Sequence, residues 1–279
     1  LAPTYDWIEI DSEYGGDGID LNLSDNGNGN GASNSTEFID LPFVFNFYGE
    51  PYDQISVSTN GWIALGRTSL LSFRNYPIPG AGGPSPMIAV FWDDMKTSSG
   101  GDVFYKIIDI EGEQSVIVEW SDMRTNDNNS QEDFQAILYP NPNSQTGDGD
   151  IKMQYKTFNN TSNGYYPEGG TPVHGCYATI GIENKYGNQG LQYTYNNQYS
   201  EGASPLFNNT AILITTELPD FGILGDINND DILNVLDVVL LVNLVLDGNY
   251  EENADMNQDE ILNVLDIVLL VNFVLNTDS

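Results

Sequence analysis

A 29-residue repeat near the carboxyl terminus constrains the fold of this chain more than any other sequence feature. The two copies, GDINNDDILNVLDVVLLVNLVL and ADMNQDEILNVLDIVLLVNFVL, carry equivalent aspartates at Asp226 and Asp255. From Ile232 and Ile261 onward, 13 of 15 residues are identical. Oxygen-bearing side chains stand at positions one, three, five, nine and twelve of each copy, and an apolar pattern with helical period follows. The repeat predicts two equivalent units in which a loop wraps a hard cation and a helix follows.

Each loop offers five side chains and one main-chain carbonyl as ligands. The predicted metal ligands are Asp226, Asn228, Asp230, the carbonyl of Ile232, Asn234 and Asp237 in the first loop, and Asp255, Asn257, Asp259, the carbonyl of Ile261, Asn263 and Asp266 in the second. A set of six or more oxygens disfavours zinc and copper, and it suits calcium better than the smaller magnesium ion. We therefore expect two calcium ions, and we expect folding to require them because the three carboxylates of each loop repel one another. An acidic turn before a helix is the alternative for a single copy.

The motif D-x-N-x-D-x-x-x-N-x-x-D, present twice without an entering helix, resembles the type I dockerin family from Gly225 to about Leu275. The resemblance implies calcium-dependent binding to a cohesin-like domain or another cell-surface protein through the helix surfaces. The recognition residues that it implies are Val235, Leu236, Val264 and Leu265. Two departures stand beside it: Asp231 and Glu260 occupy the sixth loop position, where the family usually has glycine, and the helices carry no Lys or Arg. Packing of the apolar helices on each other and on the rest of the chain is the alternative to a partner.

Up to about Glu217 the apolar residues alternate with polar ones, and Gly, Pro, Asn and Asp interrupt the pattern every eight to twelve residues. This pattern predicts a mostly β fold, an antiparallel β-sandwich of jelly-roll type, followed by the small α domain with its two calcium loop-helix repeats. A closed barrel is the alternative. The predicted boundaries are residues 1–217 for the sandwich, 218–224 for a short linker and 225–279 for the dockerin-like domain.

The net charge narrows the classes of partner. The chain has 41 Asp and Glu residues against 8 Lys and Arg, a formal charge of -33, which excludes unaided binding to nucleic acid or an anionic membrane. No apolar run is long enough to insert into a membrane, and a single cysteine, Cys176, excludes an internal disulfide. The start at Leu1, without an initiator Met, suggests a mature or excised fragment. Calcium dependence leads us to expect an extracellular or cell-surface location.

The segments DLPFVFNFYGEPYDQISVSTNGWIALG, PMIAVFWDDM, GGDVFYKI, VIVEWSDM and ATIGIENKYGNQGL resemble nidogen-like extracellular domains. They also resemble the non-catalytic β-domains of bacterial secreted peptidases of the gingipain and subtilisin types, over about Phe38 to Tyr195. The resemblance implies an accessory or adhesive domain without an active site. We therefore expect a non-catalytic binding and assembly fragment that forms the carboxyl-terminal part of a larger secreted enzyme, a peptidase or a glycoside hydrolase.

Two other functions remain open at this stage. A glycoside hydrolase needs two carboxylates at a suitable separation, and Glu119, beside Trp120 and Asp122, is the best candidate, although an outward-facing acid on an alternating strand is ordinary. A carbohydrate-binding module would use a platform of aromatic rings. The four tryptophans are Trp7, Trp62, Trp92 and Trp120, of which Trp62 and Trp92 are expected in the core.

Two smaller features have structural interpretations. His174 and Cys176 are two residues apart, so on a strand they would lie on the same face. A thiol beside an imidazole could act as a nucleophile with its base. No catalytic motif surrounds them, however, and coincidence is the preferred interpretation. The adjacent pair Asp93 and Asp94 would either hold a third calcium ion or end a strand, and we favour the strand end.

Overall fold

The computed structural model describes residues 3–27, 36–110, 112–142, 144–163, 177–217, 223–230, 232–259 and 261–277. The chain forms two compact units, Leu1–Glu217 and Leu218–Ser279, which we call the β-unit and the helical unit. Among the described residues, no helix has the length and apolar character needed to span a membrane.

The β-unit contains two antiparallel sheets, each with seven strands among the described residues. The first sheet has the order β1-β7-β8-β9-β10-β14, with β6 paired to the end of β8. Its strands are β1 (Ile19–Asp20), β6 (Met95–Lys96), β7 (Asp102–Ile110), β8 (Glu113–Thr125), β9 (Gln131–Tyr139), β10 (Asp150–Thr157) and β14 (Thr210–Ile214).

The second sheet has the order β13-β12-β11-β5-β4-β3-β2. Its strands are β2 (Thr36–Phe47), β3 (Glu50–Ser58), β4 (Trp62–Leu65), β5 (Met87–Trp92), β11 (Thr179–Glu183), β12 (Gly190–Tyr195) and β13 (Gln198–Tyr199). Consecutive strands such as β7 to β10 pair within one sheet as meanders. The jelly-roll part of the prediction is therefore wrong, because short turns keep neighbouring strands in the same sheet instead of sending them across to the other one.

The main core lies between the two sheets. Alternate residues of both sheets point into it, including Phe45 and Ile88 from the second sheet and Trp120 and Phe134 from the first. The Tyr155 hydroxyl, on the first sheet, donates a 2.8 Å hydrogen bond to a carbonyl oxygen of β5, so a polar contact joins the two sheets inside this core. The prediction of a mostly β chain with two antiparallel sheets is confirmed.

Irregular segments cover part of the outer face of each sheet. On the second sheet Trp62 and Trp92 lie on the outer face with Ile78 and Met87, and both indole N–H groups donate to the carbonyl of Ser72. The two tryptophans are buried as expected, but beneath the segment that precedes β5 and outside the core between the sheets.

On the first sheet the covering segment is the amino-terminal stretch, residues 6–10, which crosses β10, β9 and β8. The side-chain amide of Gln154 bonds both the N–H and the C=O of Asp6, at 2.7 Å each. Gln135 does the same for Ile8, at 3.3 and 3.0 Å. Gln154, Gln135 and Glu119 are register partners on adjacent strands. This row of polar side chains supplies the backbone of residues 6–10 with the hydrogen-bond partners that a neighbouring strand would otherwise provide.

The helical unit contains two α-helices, α1 (Val235–Asp247) and α2 (Val264–Thr277). Its small core is centred on Leu241 and Leu270, one from each helix, and Ala254, all fully buried. The first half is tied to the second by Asn253, whose carbonyl accepts from the Gly225 N–H and whose side-chain amide donates to the Asp226 carbonyl, both at 2.7 Å. The predicted helices after each acidic loop are therefore present.

Candidate metal-binding loops and acidic sites

The ninth and twelfth positions of the first loop form the start of α1. Asn234 is the helix N-cap, and its side-chain oxygen accepts from the Leu236 N–H at 2.7 Å. Asp237 returns the interaction by accepting from the Asn234 N–H at 2.9 Å, which completes a capping box. A structural role therefore accounts for these two residues as fully as a metal would.

The first, third and fifth positions have no such role in a helix. The Asp230 N–H donates to the side-chain oxygens of both Asp226 and Asn228, at 3.2 and 3.1 Å. The carboxylate of Asp230 in turn accepts from the Ile232 N–H at 2.9 Å. These contacts fold the loop so that its oxygen-bearing side chains turn back on its own backbone.

The second loop repeats this arrangement. Asp259 N–H donates to Asp255 and to Asn257 at 3.2 Å each, and its carboxylate accepts from the Ile261 N–H at 2.9 Å. The carboxylate of Asp266 accepts from the Asn263 N–H at 2.9 Å, as Asp237 accepts from Asn234 in the first copy. The sequence repeat is therefore a repeat of local geometry.

Burial and charge make these carboxylates unusual. Asp226 and Asp255 are 2% exposed, and Asp237 and Asp266 are fully buried. Residues 218–279 contain 13 Asp and Glu residues and no Lys, Arg or His. Buried carboxylates need a positive partner or a dense set of hydrogen bonds. Since this region has no basic residue, it supplies only hydrogen bonds. The donor set, carboxylate, amide and main-chain oxygen, is of the kind that calcium prefers.

Two features of the loops differ from a complete cation cage. Within the described ranges, no three Asp, Glu, His or Cys side chains converge into a metal-binding group, and the other candidate ligands are amide or main-chain oxygens. The left-handed residue described in each loop is the fourth, Asn229 with φ 56° and Gln258 with φ 57°. The sixth positions, Asp231 and Glu260, lie outside the described residues.

The four candidate recognition residues lie on the surface, immediately before the last aspartate of each loop. Their exposed fractions are 65% for Val235, 57% for Leu236, 65% for Val264 and 49% for Leu265. The unit's own core is formed by other residues of the same helices. The helices therefore leave equivalent apolar residues exposed in both halves.

Glu119, the candidate catalytic acid, is not on the surface. It is 1% exposed, and its carboxyl accepts from the Ile10 N–H at 3.1 Å beneath the amino-terminal segment. Burial, followed by a hydrogen bond with Glu9, raises the Glu119 pKa to about 9. The expectation of an outward-facing acid is wrong, because the outer face of this sheet is covered.

Glu9 holds the charge of this carboxyl pair. Its carboxylate accepts from Lys156 at 2.8 Å and from the Trp7 indole at 3.2 Å. Burial raises the Glu9 pKa, but the hydrogen bonds from Lys156 and Glu119 outweigh it, and the pKa is lowered overall. The pair therefore keeps one proton on Glu119. Sequence analysis missed Glu9, and no local pattern places it opposite β8.

Asp93 and Asp94 follow β5 and are buried. The Asp94 N–H donates to the Asp93 carboxylate at 2.8 Å, and the Asn126 amide donates to Asp94 at 3.0 Å. Burial raises the Asp93 pKa well above its ordinary range. The pair directly follows the last residue of β5 and so ends the strand, as favoured. The other sequence candidates, His174 and Cys176, lie outside the described residues, and Trp120 is fully buried while Trp7 is partly exposed.

Comparison with known proteins gives one finding. A family model described as NIDO related matches residues 21–217. The match covers the β-unit from residue 21 to its end and confirms the nidogen-like resemblance, over a longer stretch than the quoted segments. It stops before the helical unit, so the dockerin resemblance stays a prediction. No curated protein and no solved structure matches the chain.

Proposed function

The chain belongs to the NIDO-related family, and from that premise we propose that it is a non-catalytic extracellular fragment for binding and assembly. In this proposal the helical unit is a dockerin-like module that anchors the β-unit to a cohesin-like or other cell-surface protein in the presence of calcium. The fragment forms the carboxyl-terminal part of a larger secreted enzyme.

The observation that carries the proposal is the exposed apolar pair in each half of the helical unit. Val235 and Leu236 begin α1 directly after its N-cap, and Val264 and Leu265 hold the same places on α2. Four exposed aliphatic side chains in two equivalent settings cost solvation free energy unless a partner covers them. Repetition of the same exposed pair favours a recognition surface over chance exposure.

Calcium would supply the positive charge that the helical unit lacks. The residues that would hold it are the twelve predicted ligands, whose described side chains already bond their own loop backbone. The protein's contribution is to set the start of each helix, because the capping residues Asn234 and Asp237 belong to the loop as well as to α1. Loop closure and helix start are thereby coupled, and through them the position of the neighbouring Val235 and Leu236.

The glycoside hydrolase alternative has no observation in its favour among the described residues. Glu119, its best candidate, is enclosed and protonated next to Glu9. A carbohydrate-binding platform of tryptophans is disfavoured as well, because three of the four indoles are buried.

The test is calcium-dependent binding of the full chain to a panel of purified cohesin domains, measured by surface plasmon resonance. We expect binding in millimolar calcium and none in excess chelator. Substitution of all four recognition residues by Ser should abolish binding, whereas Leu246→Ser, at a 77% exposed position elsewhere on α1, should retain it. Circular dichroism melts of both variants establish that they are folded. Equal binding by the fourfold variant, or binding that persists in chelator, contradicts the proposal.

A further inference from the structure

A cleft in the β-unit joins the β2–β3 turn to the β11–β12 turn. It has a volume of about 250 Å³, and Phe47 lies in its wall next to Tyr48. Glu50 and Lys185 join the two turns, since the Lys185 ammonium donates to the Glu50 carboxylate at 2.5 Å. The ion pair spans 135 residues of sequence and is half exposed, so it fixes the relative positions of the two turns without closing the cleft.

Three tyrosines give the cleft its aromatic surface. Tyr48 is 37% exposed and Tyr186 is 72% exposed, and Tyr52 is partly buried. Large exposed aromatic rings cost solvation free energy unless they serve a contact. A phenol ring offers an apolar face together with a hydroxyl at its edge, which suits a ligand that has both apolar and hydroxylated surfaces.

The β11–β12 turn that carries Tyr186 is organised by one buried side chain. The side-chain oxygen of Asn184 accepts from the N–H groups of Tyr186, Asn188 and Gln189, at 3.2, 3.2 and 3.4 Å. Its amide nitrogen donates to the Asn188 side-chain oxygen at 3.0 Å. The turn is therefore held in one conformation before any ligand arrives, which lowers the entropy cost of binding.

Polar groups remain for a ligand around these rings. The side chains of Asn188 and Gln189 are exposed at the cleft, and their amide nitrogens donate to no other described residue. Planar amides beside aromatic rings are suited to hydroxyl groups, which accept and donate at once. A few directed polar groups on a mainly aromatic surface are typical of small-ligand sites.

Charge decides which hydroxylated ligand fits. Among the described residues that line the cleft, the one basic side chain is Lys185, which is paired with Glu50 and lies over one face of the Tyr186 ring, so that a sugar would stack on the other face. The chain as a whole carries a formal charge of -33. Anionic ligands are therefore repelled. A volume of about 250 Å³, just below the roughly 300 to 1,000 Å³ typical of pockets for drug-sized ligands, accommodates one or two sugar rings.

We infer that the cleft between the β2–β3 and β11–β12 turns binds a neutral carbohydrate, with a sugar ring stacked on Tyr186 and its hydroxyl groups bonded by Asn188 and Gln189. The site is independent of the calcium loops, because all of its residues belong to the β-unit. It also differs from the predicted tryptophan platform, since none of its described lining residues is a tryptophan.

Isothermal titration calorimetry of the full chain tests this inference, in excess chelator so that calcium-dependent docking plays no part. The probes are hexasaccharides of β-1,4-linked glucose, xylose, mannose and N-acetylglucosamine, with polygalacturonate as the anionic comparison. We expect at least one neutral probe to bind, with an affinity lowered about tenfold or more in Tyr186→Ala and also lowered in Asn188→Ala. Phe207→Ala, which removes a 64% exposed ring outside the cleft, should bind as the unaltered chain does.

The result that overturns the inference is a chain that binds none of the neutral probes, or that binds them equally well after Tyr186→Ala and Asn188→Ala. Preference for polygalacturonate would overturn the assignment of a neutral ligand. Melting temperatures of the two variants, both altered on an exposed turn, confirm that loss of binding is not loss of folding. None of these outcomes changes the cohesin result, so the two proposals fail separately.

Discussion

Asp237, the last residue of the first acidic loop, accepts hydrogen bonds at one carboxylate oxygen from the N–H groups of Ile227, at 3.0 Å, and of the next residue, at 3.3 Å. Its other carboxylate oxygen caps α1. One buried side chain thus joins the beginning of the loop to the beginning of the helix. Its charge has no basic residue to offset it anywhere in residues 218–279.

Asp237→Asn tests whether Asp237 acts only as a helix-capping residue or also as a charged ligand for calcium. Asn keeps one oxygen that accepts from the backbone, but its NH2 group replaces the other oxygen and faces a backbone N–H. The lost hydrogen bond and the removal of one buried negative charge oppose each other, so without calcium we expect only a small change in melting temperature. With calcium, the rise seen in the unaltered chain should shrink, because a ligand is lost. Were Asp237 only a capping residue, its substitution would change the free energy of unfolding by the same amount, about 1 kcal/mol for one lost hydrogen bond, with and without calcium. Thermal melts with and without calcium distinguish the two, and Asp247→Asn, which removes an exposed charge at the end of α1, is the control.

The stability of the β-unit should fall as pH rises, because of Glu119. Its pKa is about 9 in the folded chain and about 4.5 when unfolded. Below pH 4.5 both states are protonated and no penalty applies. Between these values the folded state holds the extra proton, so the free energy of unfolding should decrease by up to about 1.4 kcal/mol per pH unit.

Glu119→Gln should remove this dependence, since an amide bonds Ile10 and Glu9 without a proton to lose. Urea unfolding at pH 5 and pH 8 measures it, with Glu113→Gln, an exposed position on the same strand, as the control. A variant that loses stability at both pH values, or whose pH dependence equals that of the control, would show that the buried proton does not matter.

The hydrogen bond between the sheets should contribute measurably to stability. Tyr155→Phe removes the hydroxyl that donates to the Val90 carbonyl and leaves the rest of the side chain unchanged. Because a buried carbonyl loses a donor, we expect a loss of about 0.5–1.5 kcal/mol in the free energy of unfolding. Tyr199→Phe, whose hydroxyl accepts from an N–H in a less buried setting, should cost less. Equal costs would indicate that burial of the carbonyl is unimportant.

Local periodicity predicted the strands and helices, because alternation and helical spacing are properties of neighbouring residues. The segment LPFVFNF from Leu41 became β2, and the run after Asn234 became α1. The covered outer faces were not predictable in this way. The sequence around Glu119 predicts an ordinary outward-facing acid, because nothing local indicates that residues 6–10 lie over it. That contact joins positions more than 100 residues apart.

For the same reason the sequence predicted the acidic loops but not the tyrosine cleft. The acidic loops are contiguous in sequence, so their spacing alone suggested ligands. The Tyr48 and Tyr186 cleft joins two turns that are distant in the chain, and neither turn carries a motif. That the two turns meet is visible only in the folded chain, where the ion pair between Glu50 and Lys185 joins them and both line one cleft.

Calorimetric titration of calcium into the chelator-treated full chain is the most direct test of the central claim, that the repeated loops bind metal and thereby support docking. The account predicts two ions per chain. It also predicts that Asp226→Ala with Asp255→Ala abolishes the binding, while Asp247→Asn leaves it unchanged. At calcium a hundred times the dissociation constant each site should add about 2.7 kcal/mol to the stability of the helical unit. No heat of binding at millimolar calcium, or equal heat from the doubly substituted chain, would contradict the account.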